Sequence, residues 1–217
     1  MNTARLWIRM PASARAAPPP AFPPRPRKAR MSPLAHHLYT MAANNAWANH
    51  RLLGACAQLA PEELTAPRTG FFPSLRRTLN HILVVDWFYV DALEGGRLGP
   101  KAWVDEEPCR DVATLQREQA AVDRRLLAVC EGLDAGGLAR PVTIDRGNRE
   151  QVERCDRLLL HLFEHQIHHR GQAHAMLSGT SVEPPQLDEF FPAADAPLRT
   201  DDFAALGWTE AEIWGAL

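Results

Sequence analysis

The chain has 217 residues, 46% of them hydrophobic, which is enough to bury one sizeable core and short enough for a single domain. Its formal net charge of −2 hides an asymmetry: residues 1–30 carry seven basic side chains and no acidic one, leaving 17 basic against 26 acidic residues, or −9, in the remainder. An acidic body argues against a nucleic-acid-binding surface, and no apolar run approaches the roughly 20 residues that cross a bilayer.

Residues 1–31 read as a disordered extension rich in Pro, Ala and Arg. Seven prolines would break an amphipathic leader helix, and the compact apolar segment of a secretory signal is missing. Met31, directly before the first helical pattern, is a candidate start, and residues 32–217 are the expected folded domain. The four cysteines, Cys56, Cys109, Cys130 and Cys155, form no C-x-x-C pair; buried thiols in a reducing cytoplasm are the default expectation.

Ser32 and Pro33 supply the N-cap and first-turn proline of a helix reaching about Leu59, with Leu38, Met41, Asn45, Leu52 and Cys56 on one face. Trp47 reads as core, and Asn45 and Asn49 as hydrogen-bonded to neighbouring backbone. After PEELTAPRTGFFP, Ser74 caps a second helix that ends near Glu94, before Gly95-Gly96. It is apolar almost all round, hence central, and it carries His81. Asp86 and Asp91 on it read as surface or ion-pairing groups, with Asp86 also a candidate acceptor behind a site. Asp111 caps a third helix to about Glu131, whose buried stripe is Leu115, Val122, Leu126, Val129 and Cys130 and whose wet side is Arg117, Glu118, Asp123, Arg124 and Arg125. The segment ARPVTIDRGNREQV is a β-hairpin or an irregular link. Near the end, Thr209 and Glu212 form a capping-box pattern for a short last helix. The expected fold is all-α, a four-helix bundle with a short C-terminal helix.

The fourth long helix is the most informative stretch. Leu158 to Ser178 reads LLLHLFEHQIHHRGQAHAMLS and holds five of the nine histidines. On a helix, His161, His165, His168 and His169 fall inside roughly a 100° arc together with Gln172 and Met176. His165 and His169 stand at i, i+4, where Cβ atoms are about 5–6 Å apart and two imidazoles can chelate one metal. His161 with His165 has the same spacing, so spacing alone leaves the pair open. A lone histidine on an apolar face is more often a hydrogen-bonded core residue, so the signal lies in the number and phase of these. His81, in a strongly apolar helix, is the natural third ligand. Three neutral imidazoles with an open position suit catalysis better than a closed structural site, and His161 and His168, on the same face, are the candidates for proton transfer. Arg170 reads as half of an ion pair. Gly171 costs about 1 kcal/mol relative to alanine and is read as allowing a neighbouring helix to approach. No H-E-x-x-H motif occurs, and no serine or cysteine stands beside a base, so metalloprotease and triad chemistry are unsupported.

Three stretches, NNAWANHRLL at 44–53, LNHILVVDWFY at 79–89 and HQIHHRGQ at 165–172, resemble in order and spacing the DinB-like (damage-inducible) helical-bundle proteins, over roughly Pro33 to Phe191. The resemblance implies that His81, His165 and His169 bind a divalent metal, with zinc or nickel suited to imidazole nitrogen, and that His161 and His168 are neighbours of that site. It also implies a small-molecule substrate, thiol transfer to an electrophile or hydrolysis, a low-molecular-weight thiol as partner, a homodimer and a cytoplasmic stress-response setting. The competing expectation is a non-catalytic bundle in which the metal ties two helices together.

Overall fold

In a computed structural model, residues 31–215 are described. The expected extension at residues 1–31 lies outside them apart from Met31. Four long helices make the body: α1 (Pro33–Cys56), α3 (Leu75–Leu93), α4 (Val112–Glu131) and α6 (Cys155–Leu177). Shorter ones, α2 (Pro61–Thr65), α5 (Ala135–Ala139), α7 (Thr200–Leu206) and α8 (Glu210–Trp214), fill the connections and the C-terminal segment. Around the bundle α1 packs on α4, α4 on α3, α3 on α6 and α6 on α1. The chain is an all-α four-helix bundle with a short C-terminal helix, as its periodicity predicts. No helix among the described residues is long and apolar enough to cross a membrane.

The caps fall where the sequence puts them. Ser32 Oγ accepts from the Ala35 amide, Ser74 Oγ from Arg77 and Asp111 from Thr114, each satisfying an orphan N–H of a first turn, a contribution of about 1 kcal/mol per cap. The Ser74 cap also fixes the phase of α3, and with it His81 in the second turn. The link between α4 and α6 is a hairpin, β1 (Pro141–Asp145) antiparallel to β2 (Glu150–Arg154), with Thr143 opposite Val152. Val142 and Ile144 alternate inward and are fully buried, which pins the hairpin to α3. Residues 178–215 fold back across α1. There Arg51 reaches Asp202 at 2.6 Å and Glu189 at 2.7 Å, the Trp47 indole N–H donates to Asp202 at 3.1 Å, and Arg199 is wholly buried against Glu210.

Four expectations about polar residues need correction. Asn45 and Asn49 do not turn to neighbouring backbone: their amides donate to Asp123 at 3.1 Å, and their carbonyl oxygens accept from the Arg170 guanidinium. Asp123 is not on the wet side of α4 but buried, because it lies one turn beyond Gln119 on the arc that also holds Leu115 and Leu126. Gln119 donates to Asp123 and, at 2.7 Å, to Asp86, which is likewise buried rather than at the surface. All four long helices thus meet in one enclosed polar layer. Burial pushes the Asp86 carboxyl well above the usual carboxylate range and Asp123 up to about 6, and it pulls Arg170 down to about 10. Arg170 therefore works through two asparagine carbonyls with the carboxylates nearby, not through a simple ion pair. Gly171 is exposed, and a Cβ there would meet nothing within 4 Å, so no close helix approach explains it.

Candidate metal centre

The seam between α3 and α6 is antiparallel, and its register is fixed by three contacts. Thr78 Oγ1 lies 3.6 Å from Met176 Sδ, His81 meets both His165 and His169, and the Tyr89 ring stands edge-on to His161 at 5.3 Å. One turn of α6 separates His165 from His169, so the His81 side chain enters the notch between them. The ring centroids are 5.0 Å apart for His81 and His165, 4.5 Å for His81 and His169, and 4.4 Å for His165 and His169. One nitrogen from each ring lies within 4.8 Å of the others, and the Nε2 atoms of His81 and His165 face each other at 3.1 Å. The spacing ambiguity is thereby resolved in geometry: His169, not His161, shares the notch with His165 and His81.

All three imidazoles are half-buried, and desolvation sets their charge. Burial, reinforced by the neighbouring rings, pulls His81 down to about 4 and His165 to about 3; His169 is also lowered, first by burial. Neutral imidazole is the form a metal requires. His169 Nδ1 lies 2.8 Å from Gln172 Oε1, an acceptor only, so Nδ1 carries the proton and Nε2 keeps its lone pair for the notch. The Gln172 amide in turn donates to His168 Nε2 at 3.1 Å. Phe72, in the loop before α3, covers one flank, 4.3 Å from the His81 ring and 5.7 Å from His169, while Phe71 beyond it is 82% exposed. Convergent neutral nitrogens with a fixed tautomer and an apolar flank fit one divalent ion well; a set of core histidines would pair its ring nitrogens with carbonyls or carboxylates instead.

Of the two proposed proton carriers, His168 borders the notch and His161 sits apart from it. His168 is exposed, its ring 4.8 Å from His169. His161 is exposed one turn before His165 and rests on Tyr89. Spacing pointed to Gln172 on the same arc, whereas Phe72 carries no periodic signal because it belongs to a loop. A cavity of about 460 Å³ lies elsewhere, between the end of α1, α2 and the first turns of α3 and α4, and no histidine lines it. All four cysteines are buried and free, and burial pushes Cys56 up to about 12 and Cys109 to about 11, so none is a nucleophile near neutral pH.

No curated protein matches the chain significantly. A family model does: the DinB family model covers residues 31–200, spanning all four long helices and every member of the histidine notch, and the chain belongs to the DinB family.

Proposed function

We propose that this DinB-family protein is a metal-dependent enzyme acting on a small electrophile, with His81, His165 and His169 holding one divalent ion, zinc or nickel. The favoured reaction is transfer of a low-molecular-weight thiol, with hydrolysis next. The observation that carries the reading is the approach of three uncharged imidazoles, one nitrogen each within 4.8 Å, across two helices. A divalent ion bound there supplies Lewis acidity and brings the pKa of a thiol or water towards neutrality. The chain's own residues supply the rest. Gln172 keeps His169 in the ligating tautomer, and Phe72 keeps water from one flank. In this reading His168 takes up a released proton at Nε2, exchanging it for the Gln172 hydrogen bond, and passes it to solvent; His161 serves the opposite end of the seam. The protein thiols are buried and protonated, so the nucleophile comes from outside. The same reading takes the chain to be a homodimer, for which the exposed Leu160 and Ile167 on the outer face of α6 are the support.

The test combines metal analysis of the purified protein with a screen of small thiols against 1-chloro-2,4-dinitrobenzene and of simple activated esters. One ion per chain and turnover abolished in His165→Ala is the expected result. Stoichiometric metal with no turnover, and His81→Ala that only lowers the melting temperature, would establish the non-catalytic bundle instead.

A further inference from the structure

Arg146 stands in the turn of the β1–β2 hairpin, its amide donating to Arg149 O at 2.9 Å. Its side chain leans back over α3: Nε donates to Gln151 Oε1 at 3.0 Å, Nη2 to Tyr89 Oη at 3.3 Å, and the guanidinium carbon lies 5.0 Å from the Phe88 ring. Arg51, Arg76, Arg125 and Arg199 each meet a carboxylate within 2.8 Å. Among the described residues no carboxylate lies within 4.0 Å of Arg146, and its Nη1 donates to nothing. A half-buried guanidinium, oriented by two hydrogen bonds and an aromatic face, is thus left without a counter-charge. It adjoins the histidine seam, because the Tyr89 hydroxyl that accepts from it belongs to the ring on which His161 rests. Tyr89 is eight residues after His81, about 12 Å along the α3 axis at 1.5 Å per residue.

We propose that Arg146, Tyr89 and His161 form an anion subsite about two helical turns from the histidine notch, which takes the carboxylate of the substrate or thiol. The guanidinium fork matches a planar carboxylate, and its orientation is fixed before any ligand arrives. The Tyr89 hydroxyl accepts from Arg146 and keeps its own proton to donate, and the exposed His161 ring adds a second donor. This subsite gives the hairpin a role that its small size in a helical protein does not otherwise suggest. It also narrows the substrate class to molecules with a soft or polar head at the notch and a carboxylate about 10–12 Å away along the seam. The proposal rests on the metal reading above, since the notch defines where the other end of the ligand sits.

The experiment uses the full chain loaded with cobalt, whose sulfur charge-transfer band reports thiol binding, titrated with 3-mercaptopropionate, 8-mercaptooctanoate and 8-mercaptooctanol. The eight-carbon acid is expected to bind about tenfold more tightly than the alcohol of equal length, the scale of a charge-assisted pair in a partly wet site, and the three-carbon acid to gain nothing from its carboxylate. Arg146→Gln should erase the acid-to-alcohol ratio at unchanged cobalt stoichiometry, and Arg146→Lys should keep part of it. Tyr89→Phe, which preserves ring packing, should lower the ratio about two- to threefold, so the test survives a poorly folded Arg146 variant. A wild-type ratio near one, or the same ratio in Arg146→Gln, overturns the subsite while leaving the metal centre standing. Failure of the wild type to bind cobalt overturns the metal reading and the subsite with it, and bound cobalt with no thiol-dependent band overturns thiol transfer and the subsite.

Discussion

The bundle contains two polar inclusions, and they are built on opposite rules. In the layer of Asn45, Asn49, Asp86, Gln119, Asp123 and Arg170, charge is enclosed and answered from within: each of these side chains is buried and hydrogen-bonded to another of the set. In the seam of His81, His165 and His169 the side chains are only half-buried, and one nitrogen of each converges on the other two, while His169 Nδ1 is held by Gln172. The first arrangement specifies how four helices fit together; the second leaves lone pairs for something the protein does not itself supply. Polar groups paired with one another mark structure here, save the buried Asp86 Oδ1, which has no partner, and convergent imidazole nitrogens mark the candidate site.

The largest effect that would break this contrast is on stability. Asp123→Ala leaves Arg170 and two asparagine amides facing an uncompensated cavity and should cost about 3–5 kcal/mol in urea unfolding, whereas His165→Ala in chelator should cost under about 1 kcal/mol. A mild Asp123→Ala would mean that the enclosed layer is not structural.

Metal retention comes next. Alanine at His81, His165 or His169 should abolish stoichiometric binding, while alanine at His37 or His50 should not. Bound ion at about 100 times its Kd should stabilise the wild type by about 2.7 kcal/mol, seen as a lower melting temperature in chelator. Retention of metal by His169→Ala would break the notch assignment.

The two inclusions should also respond to pH with opposite sign. In the triad the folded pKa values lie below the unfolded histidine value of about 6.5, so the native state resists protonation; its stability is intact above that value and falls as pH drops towards the folded values of about 4 and 3. Asp123, raised to about 6, does the reverse: its contribution is present below the ordinary carboxylate range and is lost as pH rises through about 6. In chelator, removal of His81 and His165 should therefore flatten the acid-side loss of melting temperature, and Asp123→Asn should remove the decline from about pH 4 to 6. The depressed imidazoles also keep metal bound to lower pH than free histidine would, with half-loss in a metal titration expected below pH 6.5. The smallest effect is at Phe72→Ala, which opens one flank of the notch and should weaken metal binding by less than about tenfold in a competition titration.

The phase of the helices was legible in the sequence because caps and apolar periodicity are local. Ser32, Ser74 and Asp111 act as the caps their positions predict, and the arc of histidines on α6 is a direct consequence of 3.6 residues per turn. The candidate site was legible for the same reason, with the family resemblance naming His165 and His169, rather than His161 and His165, as the partners of His81. Local pattern carries no information about which helix covers which face. Asp123 sits in a run of charges and so reads as wet, yet α1 and α3 close over it. By itself the sequence determined four amphipathic helices, their caps and a histidine-rich face. Spacing left His161 and His169 equivalent, and tertiary packing set His169 beside His81 as the resemblance implied; only packing decided that Phe72 lies on the notch and that Arg146 reaches the same seam from a hairpin, since each depends on the register of α3 against α6 and not on any one element.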